Sequence, residues 1–159
     1  MKKFNEPNGL NDVAQFHDTF DMPILDEPTI PSEKRCELRV SLLQEELNEL
    51  KDAIKDNDIV EIADALCDLQ YVLSGAILEF GLADKFKELF DEVQRSNMSK
   101  TCKSQEEAED TQKHYQETKN TKSFIQQKGE EFLVYREGDR KVLKSVKYSP
   151  ADLKSILNK

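Results

Sequence analysis

LLQEELNELKDAI (residues 42–54) and IVEIADALCDLQYVLSGAI (residues 59–77) are helix-forming runs on either side of the polar break Lys55-Asp56-Asn57-Asp58. In the first run, together with Val40 before it, Val40, Leu43, Leu47, Leu50 and Ile54 recur at helical spacing, which predicts a core-facing stripe. Glu45, Glu46 and Glu49 fall on the other side, within an arc of about 100°. In the second, Ile59, Ile62, Ala63, Leu66, Leu69, Leu73 and Ile77 cover one broad side, while Val60, Cys67, Tyr71 and Leu78 cover much of the other. Only a narrow strip is charged: Glu61, Asp64 and Asp68, within roughly 60° of one another. A helix that is apolar nearly all round is expected to be buried.

Three buried carboxylates are costly unless cations offset them. No Lys or Arg occurs between Lys55 and Lys85, so a local ion pair does not supply the offset. A hard divalent metal, held by oxygen ligands from both helices, is the partner this pattern predicts.

Moving outward, 159 residues suit one domain, or one domain with an appendage. With 37% hydrophobic and 35% charged residues the core is lean, and an over-apolar central helix then implies subunits completing one another as a homo-oligomer, a dimer or tetramer. A net charge of −9 argues against a nucleic acid or an anionic membrane as the main partner. Cys36, Cys67 and Cys102 have no metal-ligand spacing and read as reduced structural thiols. With no signal peptide and no membrane-length apolar run, a cytoplasmic location is expected.

Asn11-Asp12 opens a short helix carrying His17, read as a helix-surface histidine with a ligand contact as the rarer alternative. Prolines 23, 28 and 31 impose an extended, irregular run. Ser32 then starts the first long helix, Asn57-Asp58 caps the second, and Gly81 ends it. A third amphipathic helix runs from about residue 84 to 94, with Phe86, Leu89, Phe90 and Val93 inward. Residues 101–123 are almost wholly polar and read as an exposed or mobile insertion. Two β-type runs, 132–136 and 141–143, flank Glu137-Gly138-Asp139 and predict a small hairpin, followed by a last short helix after Ser149-Pro150. The expected organisation is an all-α metal-binding core over 1–100, a polar insertion over 101–125, and a hairpin with a short helix over 126–159 completing the site.

Glu45-Glu46-Leu47-Asn48-Glu49, and Glu61-Ile62-Ala63-Asp64 continuing to Asp68, resemble the EExxE and ExxD blocks of the all-α nucleoside triphosphate pyrophosphohydrolases, the MazG and phosphoribosyl-ATP pyrophosphohydrolase-like superfamily. VQRSNMSK and YREGDRKVLK followed by SPADL resemble the tail of a phage and bacterial branch of it. One departure stands out: the register that places an aspartate directly before an LLY-like triplet selects Asp68, whose partner three positions earlier is Ala65, whereas the other register selects Glu61 and Asp64. Both registers stay open.

The resemblance implies a MazG-like helical bundle, oligomeric, with a small C-terminal hairpin. It implies Mg²⁺-dependent cleavage (Mn²⁺ as the alternative ion) between the α and β phosphates of a (deoxy)nucleotide, giving a monophosphate and pyrophosphate. Glu45 would be the catalytic base, with Glu46, Glu49, Glu61, Asp64 and Asp68 as the candidate metal ligands. Asn97, Lys100, Arg140, Lys141 and Lys144 would hold phosphates. Within the enzyme class the alternatives are phosphoribosyl-ATP or dUTP as the dedicated substrate; outside it, a helical dimer binding a structural cation. A carboxylate-bridged di-iron bundle is disfavoured, since neither His17 nor His114 has a glutamate three residues before it.

Overall fold

A computed structural model describes residues 2–159 as six helices and one two-stranded hairpin. The chain divides within a helix into two compact units, one ending at Phe86 and the other starting at Lys87.

The first unit holds α1 (Gly9–Thr19), α2 (Glu33–Asp56) and α3 (Ile59–Glu79), and α3 packs against both other helices. The polar break makes the turn between α2 and α3. Asn57 takes the left-handed conformation, its N–H donates to Ile54 O (3.2 Å) and that of Asp58 to Ala53 O (3.0 Å), so two end carbonyls are satisfied. Asp58 then caps α3, accepting from the Val60 and Glu61 N–H groups at 2.9 and 3.2 Å. The other end of α3 closes in the same way, with Gly81 N–H on Leu78 O and Leu82 N–H on Ile77 O. Gly81 is obligatory there: its φ is +64°, and a Cβ would lie 1.9 Å from Glu27 O. The proline-rich run is irregular as expected, without helix or strand over 22–32, and is pinned along this end, Leu25 N–H donating to Leu78 O and Thr29 N–H to Phe80 O.

α2 buries Arg39 and Ala53 and half-buries Leu42, Leu43, Glu46 and Leu50. The seam is therefore rotated from the predicted stripe: Val40, Leu47 and Ile54 are exposed. α3 is likewise not enclosed by its own chain, for Ile59 is 74%, Val60 70% and Leu66 52% exposed, and Cys67 is exposed too. His17 departs from a surface reading. It is buried, its Nδ1–H donates to Pro23 O (2.8 Å), and its Nε2 accepts from Arg39 (3.3 Å).

α4 (Ala83–Met98) spans the division. The second unit adds α5 (Gln105–Lys119), β1 (Ser123–Lys128), β2 (Glu131–Arg136) and α6 (Leu153–Leu157). In α4 Leu89 is buried, but Phe90 and Val93 are exposed. The polar stretch forms α5, capped by Ser104, and packs on the hairpin; Ala108 and Thr111 are fully buried. The core here is Cys102, Ala108, Val134 and Leu143, flanked by Tyr115, Ile125 and Phe132. The hairpin differs from the predicted one. β2 pairs with β1 across Gly129-Glu130, in register from Ser123↔Arg136 to Lys128↔Glu131, and Val142 contributes only an isolated bridge to Tyr135. Gly129, at φ +63°, supplies the positive φ that a two-residue turn needs. Among the described residues, no single helix is long and apolar enough to cross a membrane.

Candidate active site

The seam between α2 and α3 sets the acids in place. Glu46 lies on α2 between Leu42–Leu43 and Leu50, and Asp68 on α3 beside Leu69 and Val72; both are half-buried. Glu45, Glu49, Glu61 and Asp64 are exposed, so the acidic strip of α3 is not buried as its apolar surroundings suggest. Burial, then the negative charges of Glu49, Asp68, Glu45 and Asp64, push the Glu46 carboxyl above the usual carboxylate range. Glu61, a turn before Asp64, is not among those charges.

Among the described residues, none of these six carboxylates pairs with a lysine or arginine. Nor are three acids, imidazoles or thiols already gathered tightly enough to hold a metal ion. The donor chemistry nonetheless fits a hard divalent cation: carboxylate oxygens only, from two helices, around a half-buried group whose negative form is disfavoured by its neighbours. Glu45 borders this group on a groove along α2 of about 770 Å³, which also exposes Ser41, Gln44 and Asn48 to solvent.

The second unit holds the remaining candidates. Lys100, Lys141 and Lys144 line one cavity, and Lys100 Nζ donates to Asn97 Oδ1 at 2.6 Å. Arg140 is elsewhere, at φ 55° with its guanidinium 5.4 Å from the ring centres of Phe124 and Tyr135. Sequence reasoning missed Tyr115, Lys119 and Arg136, which line the same cavity. The signal for Tyr115 was present, since Ala108, Thr111 and Tyr115 repeat at helical spacing within the polar stretch.

Among curated proteins, "Uncharacterized protein L479" of Acanthamoeba polyphaga mimivirus is 36% identical over 78 residues, 44% of this chain and 30% of that protein. The chain thus corresponds to less than a third of that relative's length. The family model described as phosphoribosyl-ATP pyrophosphohydrolase matches residues 13–97, more than half of the chain and all of both acid-bearing helices. The chain belongs to the phosphoribosyl-ATP pyrophosphohydrolase family, within the MazG-like all-α nucleoside triphosphate pyrophosphohydrolases, whose members act on phosphoric anhydride bonds.

Proposed function

We propose that the chain is a metal-dependent nucleotide pyrophosphohydrolase that splits the α–β anhydride of a (deoxy)nucleoside triphosphate into a monophosphate and pyrophosphate. The observation that carries this reading is the half-buried Glu46 at the α2–α3 seam, pushed up by its burial and then by the charges of four carboxylates from two helices. Glu46, Glu49, Asp64 and Asp68 would hold Mg²⁺ or Mn²⁺, with Glu61 at the edge of the set. When bound, such an ion offsets phosphate charge and orients phosphate oxygens and water. Glu45, solvent-exposed beside the acids, takes the proton of the attacking water on its carboxylate. Phosphoribosyl-ATP is the second substrate reading, favoured by the description of the matching family. The test is a panel of ribo- and deoxynucleotides plus phosphoribosyl-ATP, with Mg²⁺ or Mn²⁺, resolved by anion exchange. Monophosphate and pyrophosphate in equal amounts are expected. Orthophosphate with a diphosphate, or no product from any substrate, would reject the reading.

The metal itself has a readout apart from turnover. An ion that binds only the folded chain stabilises it by mass action, about 2.7 kcal/mol at a hundred times Kd. Millimolar Mg²⁺ or Mn²⁺ is therefore expected to raise the melting temperature. Asp68→Asn removes one of the charges acting on Glu46, so it should blunt that rise while leaving the metal-free protein at least as stable. A wild-type melting temperature indifferent to both ions sinks the metal assignment.

We also propose a homo-oligomer, in which a second copy covers the exposed apolar residues Ile59, Val60 and Leu66. Light scattering at micromolar concentration is expected to give at least twice the chain mass, and a clean monomer would refute it.

A further inference from the structure

α5 lies outside the span that matches the family, yet one face of it grips three consecutive residues of the tail. Glu107, Thr111 and Tyr115 are spaced four apart and so stack on that face. Tyr115 Oη accepts from the Lys144 N–H (3.3 Å), the Glu107 carboxylate from the Ser145 hydroxyl, and Thr111 Oγ1 from the Val146 N–H (3.1 Å). The turn that follows closes on itself. Ser145 Oγ accepts from the Lys147 N–H (2.9 Å) and Ser145 O from the Tyr148 N–H (2.9 Å). Ser145 N–H reaches back to Lys100 O (3.3 Å). Each backbone N–H from residue 144 to 148 is thereby engaged.

Glu107 is the costliest member of this arrangement. It is buried, and its nearest cation, Lys147 Nζ at 3.6 Å, belongs to a side chain that stands largely in solvent. A buried carboxylate is unfavourable unless hydrogen bonds satisfy it. Burial does push the Glu107 carboxyl up, but the Ser145 hydroxyl, the Lys103 N–H (3.2 Å) and Lys147 outweigh it and hold the group below its ordinary range. An ionised carboxylate can only accept, so the Ser145 hydroxyl must donate to it, which leaves Ser145 Oγ to accept from Lys147. The turn fixed in this way carries Lys144, whose Nζ lies 4.2 Å from the centre of the Tyr148 ring, and is tied to the backbone of Lys100. Both lysines line the cavity described above. Fixing their backbone before a ligand arrives lowers the ordering cost of binding.

We propose that Glu107 is a positioning residue: through Ser145 it sets the turn that presents Lys144 beside Lys100, and it governs substrate affinity without touching the substrate. The effect on substrate rests on the hydrolase reading; the setting of the turn does not. One readout therefore needs no substrate. The Tyr148 phenol shares a hydrogen bond with Ser96 (3.0 Å), and this bond, against burial and together with the Lys144 and Lys100 charges, holds it below its ordinary value of 10.0. Ultraviolet titration of the full chain, with Tyr148→Phe subtracted to isolate this ring, should show that value climbing towards 10.0 in Glu107→Gln and in Ser145→Ala. On the nucleotide panel both variants are expected to raise KM about tenfold and to leave kcat within about twofold, the pattern of lost ground-state binding. Charge alone predicts the opposite for Glu107→Gln, since removing an anion near lysines favours a negative substrate. The double variant should be no worse than either single one, because both cut the same link. Asp91→Asn, an equal charge change at an exposed ion pair of α4, should move neither readout. If Glu107→Gln does not fold, Ser145→Ala, which deletes one oxygen, carries both measurements. A Tyr148 titration unmoved by the variants, a shift with KM unchanged, or a lower kcat at constant KM would overturn the proposal. A wild-type chain inactive on the whole panel rejects the hydrolase reading instead, and the titration then decides whether Glu107 sets the turn.

Discussion

Glu45→Gln is expected to lower turnover by about 10²–10⁴-fold, the usual contribution of a general base, while leaving metal-supported nucleotide binding in place. The expectation rests on how two adjacent glutamates are divided. Glu46 points into the seam and is half-buried, under the influence of acids from both helices. Glu45 is one residue's rotation away, exposed on the solvent groove with Ser41, Gln44 and Asn48. A group in that position can meet a water molecule and accept its proton without belonging to the metal's own ligands. Glu46→Gln and Glu49→Gln should consequently lose metal-dependent binding together with rate. Single-turnover kinetics with calorimetry on a non-hydrolysable nucleotide separates the two classes. If Glu45→Gln abolishes metal-supported binding and Glu46→Gln spares it, the roles are reversed.

The helices that carry these acids were legible because their signals are local. Capping at Asn57-Asp58, the stop at Gly81 and the proline-rich run each depend on residues within a few positions of one another. Burial is different. Periodicity tells which residues of α3 share a face, but not whether the covering surface comes from the same chain. Ile59 and Val60 therefore read as core and stand exposed here. The same ambiguity turned the α2 stripe away from its seam, since Glu46 occupies a seam position that an apolar residue would ordinarily take. The hairpin was misplaced for a related reason. Gln126 and Gln127 dilute the apolar signal of β1, while Val142 and Leu143 supply a stronger one for a segment that makes only a single bridge. The polar face of α5 hid its packing side, where Glu107 binds the Ser145 hydroxyl and the Lys103 N–H.

Least legible of all was a contact across forty residues, and it carries the largest expected effect on stability. Glu79, at the end of α3, is 1% exposed and accepts from both Arg35 and Arg39 of α2. Arg39 also donates to His17 of α1, whose other ring nitrogen donates to Pro23 O, so one chain of hydrogen bonds joins three helices and the proline-rich run. Pro23 O can only accept and Arg39 can only donate, which places the imidazole proton on Nδ1. Gly75 leaves the room: a Cβ there would lie 2.7 Å from Arg39 Nη1 and 3.1 Å from His17 Nε2. Burial alone would push the Glu79 carboxyl up, but the hydrogen bonds from Arg39 and Arg35 outweigh it and hold the group below its ordinary value of 4.5. Because the folded state binds that proton less readily than the unfolded one, the contribution is full above the ordinary value and declines as pH falls through the folded one. Glu79→Gln leaves Arg39 buried without its counter-charge and is expected to cost about 3–5 kcal/mol at neutral pH. Urea unfolding at pH 7, 5, 4 and 3 should show the gap between wild type and Glu79→Gln shrinking only on the acid side, as the wild-type carboxylate is itself neutralised. A gap that stays constant from pH 7 to pH 3, or one below 1 kcal/mol at pH 7 on the scale that broken buried pairs set, would mean that the buried pair does not hold these helices together.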